Sequence, residues 1–227
     1  MAPRHGAGPR GRMRAGTREP QRGPPEMPDP SPSTPTTSPP PLLGSGPALS
    51  LTVPPGGIRD GDLLLRHPRE EDVDALLPAL ADPELREAGN LPEMDRAGAV
   101  AMLRHLPALA ASGRMLPLIV VDIGDGRPLG GATLHHLDSE RGIVEIGYWL
   151  FPQARGRGLA TRVARMLAEH AFTLDVQRVE AYVNVGNGSS DRVLERARFT
   201  REGVVRSLPR PDGSRVDKTL YSLLPGE

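Results

Sequence analysis

Eight residues, Gln153-Ala154-Arg155-Gly156-Arg157-Gly158-Leu159-Ala160, carry the clearest chemical signal in the chain. They leave the apolar run Ile143 to Phe151 through Pro152 and open a stretch in which Leu159, Val163, Met166, Leu167 and Ala171 recur at helical spacing. Branched and aromatic residues suit the first segment to a pleated strand, and Pro152 ends it. A glycine-rich turn between strand and helix leaves backbone N–H groups unpaired at the positive end of the helix dipole, where a phosphate can be held. The same pattern also serves as a tight connection. Thr161 stands where a dinucleotide fingerprint has its third glycine, and no Gly-Lys-Ser/Thr follows, so neither a Rossmann turn nor a Walker loop is encoded. His135-His136 is a second group of interest. Neighbours on a strand point to opposite faces, so the pair reads as structural histidines, and no metal is expected. Tyr148 and Trp149 read as core or cleft wall rather than a platform for stacking bases, since aromatics are scarce elsewhere.

Positioning such a turn takes a sheet, and the chain supplies one. Leu63 to Arg66 reads as a first short strand. A helix follows from Asp72, its expected cap, to the Asp82-Pro83 stop, with Val73, Leu76, Leu77 and Leu80 on one side. A second helix is expected over Pro92 to Ala111, kinked at Pro107. Leu116 to Ile123, Pro128 to Leu137 and Ile143 to Phe151 form an antiparallel meander joined by short turns. Beyond the central helix, Val176 to Asn184 alternates apolar and polar residues. Reached through a helix, it should run parallel to the strand before it. A short helix over Ser189 to Ala197 and strands over Phe199 to Val205 and Val216 to Leu224 complete a mixed α/β sheet, mostly antiparallel and flanked by helices.

Composition sets the limits. Of 227 residues, the first 56 hold 15 of the 26 prolines and no periodic apolar pattern, so residues 1–58 are expected to be a disordered Pro/Gly/Arg-rich tail and 62–225 a single domain. The tail is net +3 and the remainder net −3, which speaks against a nucleic-acid-binding domain. There is no cysteine, which removes thiolate nucleophiles, thiolate metal sites and disulfides. No apolar run approaches a membrane span and no secretory signal is present, so the expected setting is soluble and cytoplasmic, away from membranes.

Glu145-Ile146-Gly147-Tyr148-Trp149-Leu150, Pro152 and Arg155-Gly156-Arg157-Gly158-Leu159-Ala160 resemble the core of the GCN5-related N-acetyltransferases (GNAT), especially the branch that acetylates ribosomal-protein N-termini. Asn187-Gly188-Ser189-Ser190-Asp191-Arg192-Val193-Leu194-Glu195 and Phe199 are similar to that branch's Asn-x-x-Ser-x-x-Val-Leu-Glu helix and the turn after it, and residues 62 to 224 follow the family's order of elements. The resemblance implies the acyl-CoA N-acyltransferase fold. It further implies transfer of an acetyl group from acetyl-CoA to a primary amine, on a protein N-terminus or a small molecule, by direct attack on the thioester. The alternative is a non-catalytic acyl-CoA-binding or regulatory module of the same fold. Implied cofactor contacts are Leu150, Phe151, Gln153, Arg155, Gly156, Arg157, Gly158, Leu159, Ala160 and Asn187, with Asn187 open to a second role as helix cap. The Leu150 N–H polarises the thioester, Glu145 is the candidate base, and Ser190 is the candidate donor beside the sulfur. Leu194 stands where many members carry an acidic Tyr, and Arg198 where a glycine usually precedes the Phe. Residues 72–111 and 207–214 would shape the acceptor pocket. A monomer or homodimer fits equally well.

Overall fold

The computed structural model describes residues 49–83, 85–86, 92–113, 115–210 and 213–227. Most of the expected tail, residues 1–48, therefore lies outside the described residues. The described strands are β1 (Ile58–Asp60), β2 (Leu63–Arg66), β3 (Met115–Asp122), β4 (Pro128–Asp138), β5 (Ile143–Leu150), β6 (Arg178–Asn184), β7 (Thr200–Pro209) and β8 (Arg215–Leu223). The helices are α1 (Val73–Ala81), α2 (Arg96–Ala111), α3 (Leu159–Thr173) and α4 (Gly188–Arg196). The strands form an eight-stranded sheet in the order β1-β2-β3-β4-β5-β6-β8-β7. Every neighbouring pair is antiparallel except β5 with β6, which are parallel because α3 carries the chain back across the sheet.

The two sides of the sheet are filled differently. Leu63, Leu65, Leu118, Val120, Leu134, Val144 and Ile146 pack with Val163, Leu167, Leu194 and Phe199 into one large core beneath α3 and α4. On the other side Val73 and Leu80 of α1 meet Ala99 and Leu103 of α2, while Ala79 and Leu85 meet Phe151, with Trp149 packed against them. The α3 sequence explains its place. Leu159, Val163, Met166, Leu167 and Ala171 are buried along one stripe, and Arg162 faces out to bind Asp60 (2.8 Å) and Asp62 (2.7 Å), tying β1 and the following turn to the helix.

Three local features depart from the sequence reading. The packed chain begins before Leu63: Leu51 is buried in the main core, the Thr52 carbonyl meets His170 Nε2 at 2.6 Å, and Ile58–Asp60 adds an edge strand. Composition hid these residues because they adjoin a proline-rich stretch and are too few to show periodicity. Asp72 does not cap α1 with its side chain. Its buried carboxylate accepts a two-pronged pair from Arg66 at 2.7 and 2.9 Å and the Arg69 N–H at 2.7 Å, so its charge locks the end of β2 to the helix entrance. The second helix starts at Arg96, where Asp95 accepts the Gly98 N–H at 2.8 Å. Pro107 sits inside that helix.

Arg198 completes the end of α4. The Phe199 N–H bonds the Leu194 carbonyl at 2.9 Å and Arg198 takes φ 71, the left-handed residue of a helix stop normally filled by glycine. No glycine stands at this position, yet the turn keeps its shape at the expense of backbone strain. Arg198→Gly should therefore stabilise the protein by about 0.5–1 kcal/mol, raising the thermal midpoint by roughly 1–4 °C. An unchanged or lower midpoint in a calorimetric melt would show that the Arg198 side chain compensates for its backbone.

Candidate active site

The site begins where two strands part. β5 and β6 pair at Ile143↔Arg178, Val144↔Val179 and Glu145↔Glu180 and then separate. Beyond that point β5 stays with β4 as far as Gly130↔Leu150, and β6 stays with β8 as far as Asn184↔Lys218. Each outer ladder holds its strand, so a slot opens between Ile146–Leu150 and Ala181–Asn184. The Phe151 N–H bonds Leu129 on the β4 side at 3.0 Å, so by strand alternation the Leu150 and Tyr148 N–H groups face the slot. Arg155 Nε donates to the Leu150 carbonyl at 3.1 Å.

The glycine turn lies at the head of this slot. Pro152–Ala154 makes one tight turn, then Gly156 and Gly158 both adopt φ 76, and Gly158 begins α3 without a side-chain cap. A Cβ at either glycine would meet nothing within 4 Å, so glycine is required there by the backbone angle and the turn faces open space. The first α3 donor with an intrahelical acceptor is Arg162, bonded to the Gly158 carbonyl at 3.3 Å; the N–H groups of Leu159, Ala160 and Thr161 precede it and have no acceptor within the helix. Arg155 and Arg157 are exposed beside them. Gln153 is exposed on the tight turn before them.

The expected contacts do not all face one way. The Phe151 ring is buried at 5.2 Å from Trp149, edge to face, and its N–H is engaged, so Phe151 shapes the strand end and presents neither group to the slot. Asn187 caps α4: its side-chain oxygen accepts the Ser190 N–H at 3.2 Å and the Ser189 hydroxyl at 2.7 Å. That capping is one of its two expected roles, and it leaves the side-chain amide as the group turned to anything else. Ser190 stands in the first turn of α4 on the α3/α4 side of the sheet, whereas Glu145 shares the opposite face with Trp149. The slot lies between them.

Tyr148, which the sequence assigns to core or cleft wall, is given a chemical setting by the structure. Its ring packs against the main core, and its hydroxyl is buried with no well-formed hydrogen bond among the described residues. Burial pushes the phenol far above its usual range. The Ser190 hydroxyl pulls it back slightly, and Asp191 and Tyr221 push it further up. Leu194, on the same helix as Ser190, is fully buried in the core. A phenol thus reaches the Ser190 neighbourhood from β5. No spacing in the sequence announces it, because Tyr148 falls on the apolar alternation of the strand.

Glu145 sits at the vertex of the slot, about one-fifth exposed, with His135 Nε2 at 3.3 Å and His136 Nδ1 at 2.8 Å. Burial raises its carboxyl, but the hydrogen bonds and charges of the two imidazoles outweigh that and hold it below the usual carboxylate range. That both histidines reach one carboxylate corrects the alternation argument. The β4–β5 register runs from His135↔Glu145 to Asp138↔Ile143, so His136 and Leu137 together oppose Val144. His136 adopts φ 51 in this bulge and swings round to the side of His135. Further along the same face, Glu180 accepts from Tyr182 (3.0 Å) and Arg178 (2.7 Å), and Arg178 also grips Glu202. Trp149 lies flat over Gly131, where an added Cβ would come within 2.4 Å of the indole nitrogen. With Val73, Leu76, Leu80, Ala99 and Leu103 it closes an apolar cavity of about 50 Å³. Parts of the expected acceptor elements, residues 84, 87–91 and 211–212, lie outside the described residues.

Comparisons with known proteins agree with this geometry. A family model described as an acetyltransferase (GNAT) domain matches residues 62–200. The N-acetyltransferase p20 of Bacillus licheniformis, itself uncharacterised, is 30% identical over 167 residues, covering 73% of this chain and 94% of that protein. Among solved structures, RimJ of Mycobacterium smegmatis in complex with a CoA disulfide is 30% identical with a TM-score of 0.62, covering 72% of this chain and 82% of that one. The microcin C7 self-immunity acetyltransferase MccE, in complex with acetyl-CoA and AMP, shares the fold at a TM-score of 0.65 and 20% identity, over 76% of this chain and 98% of its own.

A buried hydroxyl without a partner costs stability in the free protein, so Tyr148→Phe should raise it by about 1 kcal/mol. Chemical denaturation without ligand checks this. A loss of stability instead would show that the hydroxyl has a bonding partner.

Proposed function

The chain belongs to the acetyltransferase (GNAT) family, and on that premise we propose that it transfers the acetyl group of acetyl-CoA to the primary amine of a peptide N-terminus or a small molecule. The observation that carries this reading is the slot between β5 and β6, opening at Ile146 beside the Gly156–Gly158 turn and the Leu159, Ala160 and Thr161 N–H groups that have no acceptor within the helix. The turn's donors and the exposed Arg155 and Arg157 hold the pyrophosphate of the donor, and the pantetheine arm runs into the slot, where its amides pair with freed main-chain groups as an added strand would.

In this reading the thioester carbonyl meets the Leu150 N–H, which stabilises the oxyanion as the amine attacks. Carbon–nitrogen bond formation then expels the CoA thiolate. Ser190 and Tyr148 lie on the donor face, and both stay neutral at working pH. Their contribution is hydrogen bonding to the departing sulfur rather than proton donation, since a phenol raised so far holds its proton too tightly to give it up. On the other face Glu145 receives the amine's proton. Its lowered pKa keeps it ionised and attractive to a cationic acceptor but limits its strength as a base, so orientation in the slot supplies much of the rate.

Two measurements test the reading. Acetyl-CoA should raise the thermal midpoint of the wild type, and Gly156→Asp, which forces a side chain onto φ 76 and sets an anion beside the pyrophosphate, should weaken that binding on the order of a hundredfold. Failure of acetyl-CoA to protect the wild type would remove both the enzyme and a CoA-binding module from consideration. A thiol-release screen across peptides and small amines then separates the two, because only the enzyme turns over. In that assay Glu145→Gln should lower kcat on the order of a hundredfold, and Tyr148→Phe should lower kcat although it raises stability. An undiminished rate in Glu145→Gln would assign the proton to another group.

A further inference from the structure

The bulge in β4 does more than bend a strand. It gathers two imidazoles and a carboxylate whose donor atoms all lie within 4.8 Å of one another. We propose that His135, His136 and Glu145 form a binding site for a divalent transition-metal ion of the Zn²⁺ class.

Three observations support this. First, the donor set suits such an ion: two neutral nitrogens and one carboxylate oxygen, with room for water in the fourth position. Second, the spacing fits. Zinc bonds of roughly 2.0–2.1 Å in a tetrahedral shell place neighbouring donors about 3.3 Å apart. Glu145 Oε1 lies 3.3 Å from His135 Nε2 and Oε2 lies 2.8 Å from His136 Nδ1, so a small shift of the carboxylate and of His136 sets one oxygen and both nitrogens round the ion. Third, the arrangement is held by backbone that an ordinary strand does not adopt. His136 takes φ 51 in the bulge, a strained angle for a residue with a Cβ, and only that turn brings it beside His135. His135 is mostly buried and fixed, with its Nδ1 enclosed, so its bonded nitrogen is the one facing Glu145. His136 is three-quarters exposed and gives the ion a way in.

The site itself stands independently of acetyl transfer. One consequence does rest on that reading: an ion on Glu145 takes the carboxylate from the acceptor amine, so the metal acts as a reversible brake. The test uses the full chain after chelator treatment, with Co²⁺ as spectroscopic probe and Zn²⁺ as competitor, and without acetyl-CoA. One equivalent of Co²⁺ should produce the visible absorption of a low-coordinate nitrogen–oxygen site, Zn²⁺ should abolish it, and Zn²⁺ should raise the thermal midpoint. His136→Ala, at an exposed position, should weaken binding on the order of a hundredfold, and His135→Gln likewise, while His105→Ala binds as the wild type does. A cooperative metal-free thermal melt of each variant with a midpoint near that of the wild type verifies its fold. No Co²⁺ spectrum in the wild type, or a spectrum that survives both histidine variants, overturns the site. In turnover assays Zn²⁺ should inhibit the wild type, and inhibition absent from a protein that binds Co²⁺ overturns the brake. A protein that binds Co²⁺ but acetylates no amine refutes the transferase reading while the spectrum still upholds the site.

Discussion

Everything in this molecule depends on two strands that begin as partners and are then pulled apart. A backbone N–H or carbonyl withdrawn from a ladder must find another partner or stay wet, since burying it unpaired costs on the order of 1–3 kcal/mol. β5 and β6 tolerate the separation because each is anchored on its outer side, β5 to β4 and β6 to β8. Their inner edges are left solvated and ready to bond a chain-like ligand. The parting is thus a standing demand for hydrogen bonds, and a pantetheine arm with its two amides is suited to meet it.

The same feature divides the chemistry between faces. Tyr148 and Leu150 alternate with Gly147 and Trp149 along β5, so one strand turns one face to α3 and α4 and the other to α1 and α2. On the α1/α2 side the vertex of the slot is marked by Glu145 and continued by Glu180, Arg178 and Glu202. These charges cannot be buried cheaply; the histidines hold Glu145, and Arg178 holds Glu202, below the usual carboxylate range. In the proposed reaction the glycine turn serves the donor and these charges serve the acceptor, so the two would meet opposite electrostatic needs.

Much of this was readable in the residues, for particular reasons. The strand–turn–helix at Ile143 to Ala171 is legible because three signals agree: branched and aromatic residues, two glycines that must take positive φ, and an apolar stripe of period 3.6. The lone parallel pair followed from the intervening helix. What the residues concealed were the places where one element overrides the simple alternation of another. His136 turns to its neighbour's side only because β4 holds one more residue than β5 across the bulge, and a register difference is a property of two strands. Tyr148 looks like any inward strand residue until α4 is packed over it. Leu51 enters the core from a segment whose composition argues for none.

Gly131 and Trp149 give this architecture an evolutionary lever. The indole rests on bare backbone, so any side chain at 131 requires a smaller residue at 149, and the two positions must change as a pair. Trp149 also walls the apolar cavity beneath α1 and α2. A drift at one glycine on an interior strand would therefore be recorded, with the backbone unmoved, as a reshaped cavity beneath α1 and α2. Lineages can retune that cavity while leaving the glycine turn, the slot and the α3/α4 face as they were.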